Sequence, residues 1–136
     1  DVVTVLVAAN ANLNLVEQGG NSALHIAAMG GSVEVVTILV AAKANLNLVT
    51  TDLDLVNKDG NSALHRAAKY GSTGVAKVLV DAKSNLNLVN NNGDSALHWA
   101  AKIGHADIAK ILVDAEAMID LVNKNGESAL HLAANE

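Results

Sequence analysis

The chain has 136 residues, 51% of them apolar, and a formal net charge of −5 at pH 7; so much apolar surface fills a core, and so modest a charge excludes a disordered coil. With no cysteine, disulfide frameworks, thiolate metal sites and cysteine nucleophiles are excluded, and a reducing, intracellular and cytoplasmic setting is expected. No apolar run reaches the roughly 18 to 20 residues of a bilayer span, the N-terminus lacks a signal-peptide layout, and the few scattered basic residues argue against nucleic acid or membrane insertion.

Read in chain order, residues 1–16 form a partial unit: a second helix followed by Leu13-Asn14-Leu15-Val16. Ser-Ala-Leu-His then recurs at Ser22 to His25, Ser62 to His65, Ser95 to His98 and Ser128 to His131, a period of 33 with one insertion of seven. The Leu-Asn-Leu-Val element recurs in step, at Leu46 to Val49 and Leu86 to Val89, as Leu-Asp-Leu-Val at Leu53 to Val56 and as Ile-Asp-Leu-Val at Ile119 to Val122. The expected units are therefore 17–49, 57–89 and 90–122, with an inserted loop at 50–56 and a partial unit at 123–136.

Within one period, Ser62 is an N-cap for a first helix through Leu64, Ala67 and Ala68, and Gly71 is placed to stop it. Val75, Val78, Leu79 and Ala82 then recur at helical spacing, as do Ile108, Ile111, Leu112 and Ala115 one period on. The alternating Leu-x-Leu stretch predicts extended chain, and Asn57-Lys58-Asp59-Gly60 or Asn90-Asn91-Asn92-Gly93 a turn. Each helix is too short to stand alone, so the units must stack.

The run Gly60-Asn61-Ser62-Ala63-Leu64-His65-Arg66-Ala67-Ala68 resembles the ankyrin repeat's Gly-x-Thr-Pro-Leu-His-x-Ala-Ala, and so does Gly93 to Ala101, which continues into Gly104-His105. The resemblance covers essentially the whole chain. It implies an all-α ankyrin-repeat solenoid of stacked helix-turn-helix units joined by β-hairpin-like loops, with about three full repeats and a half repeat at each end. Alanine stands in the family's proline position at Ala23, Ala63, Ala96 and Ala129, giving up a residue preorganised for a first helical turn. The half repeats are what a segment cut from a longer array would show.

Four repeat histidines suggest zinc, but neighbouring helices pack about 8 to 10 Å apart while ligands lie about 2 Å from a shared metal, so His25, His65, His98 and His131 are expected to be structural. The family resemblance implies hydrogen bonds from His25, His65 and His98 to helix-start hydroxyls and loop backbone, and a helix-start role for His105. No phosphate-binding loop, His-Glu-x-x-His or nucleophile turn occurs. Neither a catalytic residue nor a cofactor is assigned, and Asp52 and Asp54 are read as solvated loop.

In similar proteins a partner docks on the hairpin tips and the exposed side of the first helices. Carried over, the partner-binding positions are Gln18, Lys58, Asp59, Asn61, Asn91, Asn92, Asp94, Lys124 and Asn125 at the tips, and Met29, Lys69, Tyr70, Lys102 and Ile103 on the helices. A row of valines, Val16, Val49 or Val56, Val89 and Val122, is expected to be exposed, either as an apolar docking stripe or as a β-branched ladder. Arg66, Lys69 and Lys102 make the first-helix face mildly basic. Trp99 is expected to pack, half-buried, and Thr50 to Val56 to protrude as a finger or to be a neutral duplication. The function expected is a protein-interaction module, monomeric alone and binding a protein or peptide. The alternatives are a targeting or regulatory arm of a larger enzyme, channel or toxin, and a designed or structural scaffold.

Overall fold

The computed structural model describes residues 1–42 and 52–135. Eight helices run through them: α1 Val2–Ala8, α2 Ala23–Gly30, α3 Val33–Ala42, α4 Ala63–Tyr70, α5 Thr73–Asp81, α6 Ala96–Ile103, α7 Ala106–Asp114 and α8 Ala129–Ala134.

The first helices α2, α4, α6 and α8 begin alike for a chemical reason. Ser22, Ser62, Ser95 and Ser128 hold extended backbone one residue ahead, and each hydroxyl accepts the backbone N–H of the histidine three residues on. That histidine's Nδ1 in turn accepts the serine's own N–H, at 3.1 to 3.2 Å. The result is a capping box with imidazole in the place usually held by Glu or Gln. Left-handed Gly31, Gly71 and Gly104 close α2, α4 and α6.

Stacking supplies what such short helices lack. The first helices α2, α4, α6 and α8 pack in sequence as one layer, and the second helices α1, α3, α5 and α7 as another. Leu24, Leu64 and Leu97 from the first layer meet Leu39, Leu79 and Leu112 from the second, joined by Val36, Val75 and Ile108, all 5% exposed or less. Burying each of these side chains stabilises by about 1.5 to 3 kcal/mol. Ala28, Ala67, Ala68 and Ala100 lie between them, and their small side chains let the layers close. Among the described residues no helix is long and apolar enough to cross a membrane.

The Leu-x-Leu element departs from the extended chain expected of it. Oδ1 of Asn12, Asp52 and Asn85 accepts the N–H two residues on, at 3.0 Å. This local bond bends the chain at Leu13-Asn14, Leu53-Asp54 and Leu86-Asn87, because a short Asx side chain competes with strand pairing for that N–H. Among the described residues a single antiparallel bridge, Val16 to Ser22, is all the β structure that forms.

The same element settles which copy occupies the stack. Oδ1 of Asn14, Asp54 and Asn87 accepts the N–H of Asp52, Asn85 and Met118 respectively, each at 2.8 Å. Leu53 is buried against the core. Residues 52–56 of the expected finger therefore do not protrude: Leu53 to Val56 hold the place that Leu86 to Val89 hold in the next repeat. Leu46 to Val49, Thr50, Thr51 and Glu136 lie outside the described residues.

Candidate partner-binding face

Each hairpin tip is organised by one asparagine. Oδ1 of Asn57, Asn90 and Asn123 accepts two backbone N–H groups of its own turn, two and four residues on, at 2.9 to 3.0 Å. Their Nδ2 groups donate backwards, to Oδ1 of Asn21, Asn61 and Asp94. Backbone bonds from Lys58 to Gly19, Asn91 to Asp59 and Lys124 to Asn92 run between neighbouring tips. In the first tip Glu17 replaces asparagine and accepts both N–H groups of Asn21. Chiefly that backbone N–H holds its carboxyl below the ordinary value. The tips are thus a hydrogen-bonded comb rather than loose loops.

The histidines tie the comb to the helices. Nε2 of His25 donates to the Asn61 carbonyl at 2.8 Å, that of His65 to Asp94 at 2.9 Å, and that of His98 to Glu127 at 3.0 Å. A carbonyl only accepts, so Nε2 carries the proton and Nδ1 is free to accept from serine. His131 is exposed and, among the described residues, keeps only the bonds to Ser128. His105 begins α7 without a side-chain cap bond. Its ring lies over Gly71, where an added Cβ would stand 2.7 Å from the imidazole.

This arrangement ties stability to pH. Burial, first of all, lowers the pKa of His25 and His65 below 6.5, so the folded chain leaves them neutral where the unfolded chain takes up protons. Stability is fully present above about pH 6.5 and is lost as the pH falls from there toward the lowered folded values. Each histidine contributes a slope of at most about 1.4 kcal/mol per pH unit. Urea unfolding at pH 7.5, 6.0 and 5.0 is expected to show a steady loss with proton uptake on unfolding; a flat profile across that range contradicts it. Glu17 and Glu127 act in the same direction only below about pH 4.5.

Two residues expected at the surface are not there. Asn61 is 7% exposed and Asp94 is 9% exposed, because each gives its carbonyl to a histidine and its Oδ1 to an asparagine. Gln18, Lys58, Asp59, Asn91, Asn92, Lys124 and Asn125 are exposed along the tips, and Met29, Tyr70, Lys102 and Ile103 are exposed on the first helices. Lys69 is half-buried. Asn92, Lys102, Lys124 and Asn125 come together with Asp94, Asn123, Glu127 and Leu132 around a polar cleft of about 250 Å³ between tips and helices, so the largely buried Asp94 still borders it. Val16, Val56, Val89 and Val122 are each about half exposed at equivalent places; Val49 lies outside the described residues.

Arg66 and Trp99 share one helical position in successive repeats and belong to this face, which the residue list above left out. Arg66 Nη2 reaches Asn21 Oδ1 at 3.3 Å. Trp99 packs half-buried against the core, with Lys69 Nζ 5.0 Å and Lys102 Nζ 5.5 Å from its ring centroid. Trp99 Nε1 and Arg66 Nε are buried and have no acceptor among the described residues. The available signal was the 33-residue offset, which puts Lys69 30 residues before Trp99 but one repeat away in space.

Compared with known proteins, residues 1–90 and 80–136 match a family model described as ankyrin repeats in three copies. A search of the curated proteins gave no match.

Proposed function

Because the chain belongs to the ankyrin repeat family, whose repeats are in general protein-interaction modules, we propose that it binds a partner protein across its hairpin tips and first-helix face, without catalysis. The observation that carries this reading is the cleft lined by Asn92, Lys102, Lys124 and Asn125. It joins two repeats and is bordered by tips already fixed by hydrogen bonds, so little loop freedom remains to be lost on docking. Exposed Met29, Tyr70 and Ile103 lie on the first helices α2, α4 and α6 and supply apolar area of the kind that anchors an interface.

The test is capture from cell lysate beside a variant carrying Met29→Ala, Tyr70→Ala, Lys102→Glu and Ile103→Ala, with equal folding checked by circular dichroism. A partner taken by the original and lost by the variant is expected. Partners kept by both baits would move the site off this face, and an empty capture would favour a scaffold without a partner.

A further inference from the structure

The chemistry of this face is one-sided. Helices α4 and α6 present Arg66, Lys69 and Lys102 and no acid. Among the described residues the one ion pair, Lys110 to Asp114, lies on α7, so none of these three cations is neutralised by a close contact. Glu127 and Asp94 line the cleft beside Lys102; the Glu127 carboxylate is held by Asn123 and Asn125, and Asp94 Oδ1 by Asn123. Two ammonium groups from different repeats approach the single Trp99 ring, and Lys69 Nζ is also 5.6 Å from the Tyr70 ring. Aromatic faces hold ammonium groups in place without cancelling their charge or using up all their N–H donors. Lys69 and Lys102 therefore leave the patch with N–H donors and positive charge.

We propose that this patch recognises an extended acidic protein segment, whose carboxylates bind Lys69 and Lys102 about the Trp99 ring; this rests on the first-helix face being the docking surface. Charge complementarity selects the occupant. Side chains two residues apart on an extended chain start about 6.4 to 6.8 Å from each other, a span that carboxylates reaching two ammonium groups at 5.0 and 5.5 Å from one ring centroid can meet. An extended segment can also follow the stack across successive repeats, from Lys102 on α6 toward Lys69 and Arg66 on α4.

Trp99 is the chain's only tryptophan, so its fluorescence reports on the patch directly. The probes are a decapeptide of alternating glutamate and glycine, its lysine-for-glutamate counterpart, and a single-stranded DNA oligomer of equal charge. The acidic peptide is expected to change the emission saturably and to weaken at least tenfold between about 50 and 300 mM salt, within the range where surface charges become screened. Combined Lys69→Gln and Lys102→Gln, at one half-buried and one exposed position, is expected to weaken it at least tenfold with the circular dichroism spectrum intact. No saturable change with the acidic peptide, equal binding of the lysine peptide, or tighter binding of the DNA overturns the proposal. In lysate capture, partners that survive the four-position variant overturn the docking face itself. Partners lost on that variant but retained by the double glutamine variant overturn the acidic segment alone.

Discussion

Replacing His65 by alanine is expected to cost about 3 kcal/mol or more of unfolding free energy, whereas the same change at His131 costs about 1 kcal/mol or less. His65 is 2% exposed and bonds three groups in two repeats: the Ser62 N–H at 3.1 Å, the Ser62 hydroxyl at 2.9 Å and the Asp94 carbonyl at 2.9 Å. Alanine leaves the Ser62 N–H and the Asp94 carbonyl buried without these partners, at about 1 to 3 kcal/mol each when nothing replaces them, and opens a cavity besides. His131 has the same sequence context and the same cap bonds, yet it is exposed and has no onward carbonyl bond among the described residues. The difference between the two substitutions therefore measures the link between repeats rather than the cap. Urea unfolding followed by circular dichroism reads it, and equal losses at the two sites would show that the histidine works only within its own repeat. A loss of about 3 kcal/mol is a large part of the 5 to 15 kcal/mol that holds an ordinary domain together.

The stacking that makes His65 matter also explains which features could be read from the sequence. The period of 33 placed the serine caps, the glycine stops and the alternating layers of leucine and alanine, because those depend on contacts repeated identically in each unit. Asn61 and Asp94 misled for the opposite reason. Beside a turn such residues are usually solvated, and only the neighbouring repeat, with His25 or Asn90 for Asn61 and His65 or Asn123 for Asp94, turns them into buried acceptors. The bend at Leu53-Asp54 was similarly hidden: apolar alternation argued for a strand, while the Asp52 side chain captured the Asp54 N–H. Trp99 could be read as half-buried from Ile26, Arg66 and Leu132 at equivalent places, but its two lysines come from different repeats and meet only when the repeats stack. The two copies of Leu-x-Leu-Val were indistinguishable by pattern, and the bonds from Asn14 and Asp54 to their neighbours singled out the second.

The closeness of successive tips gives the other large effect expected. Gly60 has φ +77°, a left-handed conformation, and a Cβ there would lie 2.9 Å from the Asn91 backbone nitrogen and 2.6 Å from Asn91 Oδ1. Gly126 has φ +76° and holds the same place in the last tip, but nothing lies within 4 Å of its Cβ position. Both alanine variants bear the conformational cost of the left-handed region, about 1 to 2 kcal/mol, partly offset by a less flexible unfolded chain. Only Gly60→Ala must also push the next turn away, straining the Asn91 to Asp59 backbone bond and the Asn91 Nδ2 bond to the Lys58 carbonyl. Overpacking of this kind adds about 1 to 3 kcal/mol. Gly60→Ala is therefore expected to lose about 3 kcal/mol in urea unfolding and Gly126→Ala about 1 kcal/mol. Hydrogen exchange at Asn91 and Lys124 separates the causes: faster exchange at Asn91 in the Gly60 variant alone marks a broken tip contact. Equal losses with unchanged exchange would mean that the comb of tips does not bear on stability, and that its rigidity is not what keeps the docking face in shape.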